Sequence, residues 1–487
     1  MRLTESIPLI HSSQHTAQTP LAKQDAVPSY AQLFDLFLDP MVSTQLKQQQ
    51  STLFLKQQLQ QIHLDEPSLP QDINQIGNFL TTQHEQNCQL FQQYLERRQQ
   101  GGAREYFRSR SAAYDFLIKV APVKRVDGSW LFSTTQYAEH PHLHDLILIY
   151  LEELGLGSAQ ANHVCMYNQL LEQLKLSKFV DLLEDAYFYQ PAIQLALAYA
   201  GQDMLPEIIG FNLGYEQLPL HLLISNYELR ELGIDPQYFN VHITIDNAES
   251  GHASSALDAL YRLAPFYPSD EFIERVRKGY ALNDCGISST EVINNIDLKA
   301  LTLKVMQNKA LVGQSIHSDR CQFKGKSINQ WLSHPDDVAE FLDLLIEKNW
   351  IKLNQDPTES RFWNMIQSAD GKMFGVFSSA ERQIIYDWIS NPTQDPQYAS
   401  TNKIKTAISV RSQHSSPSNH LAHFSNQKDQ LDIDQLNTQL NQADSFSEKV
   451  NILHPYLAPH MHHQTLGLWA TRKYTQLLFP QELNTTF

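Results

Sequence analysis

The stretch Tyr238-Phe-Asn-Val-His242-Ile-Thr-Ile-Asp246-Asn-Ala-Glu249-Ser-Gly-His252 places four potential metal ligands within eleven residues. Read as one helix turning about 100° per residue, Asp246 lies about 40° from His242, Glu249 about 20° to the other side and His252 about 80° away. Four costly polar groups then share roughly one side, with Ile245 in the same arc. A metal would neutralise the carboxylates and use the imidazoles. A solvated helix face is the competing reading of this segment.

Working outward, the chain is densely helical from about 142 to 283, with helices expected over 142–154, 158–175, 177–201, 204–225, 235–264 and 269–283. Strand alternation is scarce, and the Gly233-Ile-Asp235-Pro236 turn supplies a cap and a proline start for the segment above. Several helices with short links predict an all-α bundle.

Two earlier helices carry partners for the opening cluster. Gly155 and Gly157 let the chain turn sharply between Glu153 and His163, so the two side chains are expected to face one another across a hairpin. On a central helix, Glu216 sits deeper in apolar sequence than Glu207 and lies beside Pro219, which loosens the backbone. Glu207 reads as a first-turn carboxylate favoured by the helix dipole. Glu153, His163, Glu216, His242, Asp246 and His252 together offer three carboxylates and three imidazoles. Mixed oxygen and nitrogen donors suit two iron ions better than a sulfur-rich zinc site, although residue types alone leave zinc and manganese open.

With these residues in view, the chain resembles the heme-oxygenase-like diiron oxidase and oxygenase superfamily of iron-containing redox enzymes. The resemblance rests on Glu153 followed by His163, a carboxylate on a central helix, and the His242/Asp246/His252 segment, and it covers about residues 105–283. It extends less securely to Gly467-Leu-Trp-Ala-Thr-Arg472. It implies a heme-oxygenase-like seven-helix bundle with additional helical regions. It also implies two iron ions, dioxygen as co-substrate, an external reductant and a small amino-acid-like or fatty substrate that is oxidised, desaturated, cleaved or N-oxygenated. The family's last helix commonly reads His-x3-Asp-x2-His, whereas His252 here stands six positions beyond Asp246 and three beyond Glu249. Asp246 and Glu249 therefore both remain candidates for the principal carboxylate. A metal-dependent hydrolase and a non-catalytic helical scaffold are the competing functions.

The rest of the chain divides by composition. Residues 1–28 read as a flexible polar tail, 29–104 as an N-terminal helical extension and 105–283 as the metal-binding core. Residues 284–390 read as an accessory helical region, 391–430 as a flexible polar linker and 431–487 as a C-terminal helical segment. A formal charge of −16 argues against a general nucleic-acid or anionic-membrane binder, and no apolar run approaches a membrane span. Four dispersed cysteines and an N-terminus without the apolar core of an export signal lead to an expected cytoplasmic location. No nucleotide-binding fingerprint is present, so electrons are expected from an electron-donor protein or another reductant. A homodimer is an expected assembly. Lys124, Arg125 and Trp130 are candidate substrate contacts or an ordinary surface turn. His454, His460, His462 and His463 form a second histidine-rich stretch without zinc-finger spacing.

Overall fold

The computed structural model describes residues 28–64, 69–245, 251–317, 320–390 and 427–482. Asp246 and Glu249 lie outside the described residues, as do most of the expected tail and linker. The described residues form a predominantly α-helical fold, a helical core flanked by extra helices, with one two-stranded hairpin among them pairing Gln322–Phe323 with Lys326–Ser327. No helix among the described residues is long and apolar enough to cross a membrane.

Three of the expected long helices are broken. The 204–225 segment divides into Leu205–Tyr215 and Leu220–Glu231, with Pro219 extended at the start of the second (φ −82°, ψ 151°). Proline lacks the amide that would continue the first helix. The 177–201 segment divides into Ser177–Val180 and Tyr189–Ala198. The 235–264 segment divides into Gln237–Ile245 and His252–Leu263, with Gly251 extended ahead of His252. His242 and His252 therefore stand on different helices, which corrects the single-face reading of the opening stretch.

Apolar packing forms two large clusters that cross the compositional segments. One joins Leu33, Phe37 and Phe54 of the N-terminal extension to Trp130, Ile149 and Ile208 of the core and to Leu457 and Tyr474 near the C-terminus. The other joins Phe116, Tyr167 and Phe239 of the core to Trp331, Phe341 and Ile384 of the accessory region. Buried charges fasten these joins. Glu228 accepts the amides of Glu105, Tyr106 and Phe107 and the hydroxyl of Tyr94. Asp387 accepts the amide and the hydroxyl of Ser111, at 3.0 and 2.6 Å, in the first turn of the Arg110–Lys124 helix. That is where a helix dipole favours negative charge. The last described helix, Thr465–Leu478, lies against the Gly155–Gly157 turn of the core, and the C-terminal helices start with Gln427–Gln442, inside the expected linker.

Candidate metal centre

The Glu153–His163 hairpin is built by the turn between them. Gly155 and Gly157 adopt left-handed φ values of 63° and 84°, which a side chain would strain. A Cβ on Gly157 would also stand 2.5 Å from the Leu468 carbonyl of the C-terminal helix. Asn162 caps the next helix through the Cys165 amide at 3.0 Å, so His163 enters at its first position. A second turn brings in a residue that the sequence reading passed over. Gly128 (φ 74°) lies so close to Glu153 that a Cβ there would meet the Glu153 Cβ at 2.7 Å, and Asp127 is thereby delivered beside Glu153.

Two groups of convergent donors result. Asp127, Glu153, His163 and His242 each offer an atom within 4.8 Å of the others, and Glu153, Glu216 and His252 do the same. Glu153 belongs to both. His163 Nδ1 lies 2.5 Å from Glu153 Oε2 and 3.7 Å from Asp127 Oδ2, and His242 Nε2 lies 3.1 Å from Asp127 Oδ2. His252 Nδ1 lies 3.1 Å from Glu216 Oε2 and 3.3 Å from Glu153 Oε1. All six of these residues are buried. Atoms bound to a common transition-metal ion at roughly 2.0–2.2 Å, about a right angle apart, would stand about 3 Å from one another.

The donor atoms also fit metal better than they fit each other. Asp127 Oδ1, Glu153 Oε2, His163 Nδ1 and Glu216 Oε1 are buried without a hydrogen-bond partner, the close approach of Glu153 to His163 lacking hydrogen-bond angles. Such orphaned atoms are costly unless something satisfies them. The histidines are presented in suitable form. A carbonyl only accepts, so the His242 Nδ1 contact of 2.8 Å with the Tyr238 carbonyl places a proton on Nδ1 and turns Nε2 towards Asp127, where a metal ion would take the place of the proton between them. On the far side of His252, Nε2 lies 3.0 Å from Glu152 Oε2, a carboxylate behind a ligand imidazole. The Tyr238 hydroxyl donates to Asp127.

Electrostatics follow from this crowding. Burial raises the Glu153 carboxyl, but the His163 charge and the hydrogen bonds of His163 and His252 together outweigh it and bring the value down to about 2. His163, which burial alone would lower, is raised to about 10 by Glu153 and Asp127. His252 is likewise lowered by burial but carried well above its usual value by Glu216, Glu152 and Glu153. Asp127 is held well below the carboxylate range by His163, His242 and Lys124 against its burial. Glu216 is raised, chiefly by burial.

These geometries accompany a match of residues 114–283 to the family described as iron-containing redox enzyme. This stretch is an iron-containing redox enzyme domain. No curated protein and no solved structure matches the chain. Both donor groups fall inside the iron-containing redox enzyme domain, and they make a non-heme, diiron-type active site. A scaffold retaining only the fold would have its histidines and carboxylates separated or internally satisfied, and here they converge.

Of the sequence candidates, Glu153, His163, Glu216, His242 and His252 are brought together, while Asp246 and Glu249 lie outside the described residues. Asp127 and Glu152 were the omissions. The signal for Asp127 was its Asp-Gly pair ahead of Trp130, and for Glu152 its place beside Glu153. Glu207 faces away to Arg275, at 2.7 Å through each of two nitrogens. Trp130 is buried with its Nε1 donating to Asn212, and Arg125 donates through Nε to Asn168.

The C-terminal histidines gather no metal group among the described residues. His454 stacks on Phe132 with ring centroids 4.5 Å apart. His462 is fully buried, its Nδ1 3.1 Å from the amide nitrogen of Asn162, and Arg472 donates to the Gly157 carbonyl. The C-terminal segment thus braces the turn that aims Glu153 and His163. The Tyr150 hydroxyl donates to the Leu457 carbonyl, a further tie between the core and the C-terminal segment.

Proposed function

We propose that this protein is a dioxygen-dependent diiron oxidase or oxygenase acting on a small organic substrate, with electrons from a donor protein or another external reductant. The observation that carries the reading is Glu153, one buried carboxylate shared by two donor groups of mixed nitrogen and oxygen. Asp127, His163 and His242 would hold one ion, Glu216 and His252 the other, and Glu153 both. Asp246 and Glu249 remain proposed as further carboxylate donors. Two iron ions, when bound, supply reductive activation of dioxygen and deliver the resulting oxidising power to substrate.

The chain's own residues prepare that chemistry. Glu153 offsets the mutual repulsion of two cations. Tyr238 fixes both Asp127, through its hydroxyl, and His242, through its carbonyl. Glu152 orients His252 and strengthens it as a donor. The apolar clusters on either side exclude water, which protects reactive species from side reactions. A cytoplasmic setting and a homodimer complete the proposal.

Anaerobic reconstitution with Fe(II), followed by rapid mixing with dioxygen, tests it. The expected result is an oxygen-dependent optical transient in reconstituted protein that vanishes in Glu153→Ala. Iron-loaded protein that is optically silent towards dioxygen would overturn the reading.

A further inference from the structure

Beside the metal centre lies a cavity of about 240 Å³ whose lining includes Lys124, Tyr215, His221 and His242. It is smaller than the roughly 300–1,000 Å³ of drug-sized ligand sites. Its lining contains two lysines and two histidines and not one aspartate or glutamate, in a chain with a formal charge of −16. The two lysines differ. Lys119 Nζ is already neutralised by Asp115 at 2.7 Å and also donates to the Asn295 carbonyl. Lys124 is buried and makes no ion pair with any carboxylate among the described residues. Its Nζ meets the Tyr215 hydroxyl at 3.5 Å and the faces of Tyr215 and Tyr238 at 5.6 and 5.7 Å, and its charge acts on the Asp127 carboxylate from beyond ion-pair distance. A buried ammonium with no carboxylate in direct contact gains from an anion that joins it.

The neighbours define what that anion can be. Burial and the Lys124 charge push His221 down to about 3, so its imidazole stands neutral at the cavity wall. Val120, Val123, Leu222 and Val292 supply apolar lining. His242 lines the same cavity and contacts Asp127, so the cationic region adjoins the metal centre.

We propose that this cavity binds a small organic carboxylate, its anionic head on Lys124 Nζ and the Tyr215 hydroxyl and its apolar body against Val120, Val123, Leu222 and Val292. That the bound carboxylate is the substrate rests on the diiron reading; the binding itself does not. His242 lines the same cavity, so a carboxylate held there adjoins the donor group that would hold one ion. Lys124 selects the ligand by charge and the apolar wall selects it by size.

Calorimetric titration of hexanoate and of 1-hexanol into the full chain, anaerobically loaded with Fe(II) and in parallel metal-free, tests the assignment. Hexanoate is expected to bind both forms and to exceed 1-hexanol by about tenfold or more, the gain of a charge-assisted hydrogen bond. Lys124→Met is expected to remove that preference, Lys124→Arg to retain it, and Lys119→Met to leave it unchanged. Val292→Trp, which fills the apolar wall without touching the cation, is expected to block both ligands. No hexanoate binding to the wild type, or binding undiminished in Lys124→Met, overturns the proposal. Hexanoate binding only to the metal-loaded form and independent of Lys124 would place the head on metal and overturn it as well. An iron count of zero with Lys124-dependent hexanoate binding would defeat the diiron reading and leave the carboxylate site standing.

Discussion

At position 153 a carboxylate stands 2.5 Å from one imidazole and 3.3 Å from another, with no hydrogen-bond partner for Oε2. Without metal, His163 and His252 hold protons that offset the surrounding carboxylates. Metal must displace a proton from each Nδ1, so uptake of two ions near neutral pH is expected to release about two protons, and apparent affinity is expected to rise with pH. Calorimetry in buffers of different ionisation enthalpy measures this, and pH-independent binding without proton release would count against these ligands. The metal-free protein has its own pH signature. His163 is raised, so its contribution to stability is complete below its usual 6.5 and is lost as pH rises through about 10. Glu153 is depressed, so its contribution holds above its usual 4.5 and is lost as pH falls through about 2. The pair therefore stabilises the metal-free fold most between about pH 4.5 and 6.5, and loading with metal is expected to flatten the alkaline limb of a thermal melt.

At the scale of elements, two turns, at Gly128 and at Gly155–Gly157, hold donors in place. Gly128→Ala is expected to destabilise the fold by about 1–3 kcal/mol, because it strains a left-handed residue and drives a methyl into Glu153, and to lower metal affinity with it. His462→Ala removes one of the two acceptors of the Asn162 side-chain amide behind the hairpin, leaving the Leu154 carbonyl, and a buried N–H left unsatisfied costs about 1–3 kcal/mol. If metal affinity and melting temperature are both unchanged in His462→Ala, the bracing role assigned to the C-terminal segment is wrong. The Glu153–His163 hairpin was legible because glycines announce a sharp turn between two polar ligands. The split between His242 and His252 was not. Angular periodicity counts residues along a helix and does not register an extended residue such as Gly251 before His252. Asp127 stayed hidden because it comes from a turn rather than a helix face: the Asp127-Gly128 pair marks the turn, and the close approach of Gly128 to Glu153 shows where it leads.

Across the whole molecule, the centre lies among apolar clusters that draw on the N-terminal extension, the core, the accessory region and the C-terminal segment. The all-α class followed from helical periodicity, but these joins depend on residues far apart in sequence, such as Glu228 with the 105–107 amides and Asp387 with Ser111. Nothing local marks such pairings. Amides of the Thr465–Leu478 helix are accordingly expected to gain hydrogen-exchange protection on metal loading along with those of His144–Glu153. The most direct test of the account is a count of iron bound per chain in anaerobic Fe(II) titration of the wild type, Asp127→Ala and Glu153→Ala. The account predicts two ions in the wild type, loss of the ion at the His163–His242 side in Asp127→Ala, and loss of both in Glu153→Ala. A wild type that binds no iron, or a Glu153→Ala chain that still binds two, would contradict it.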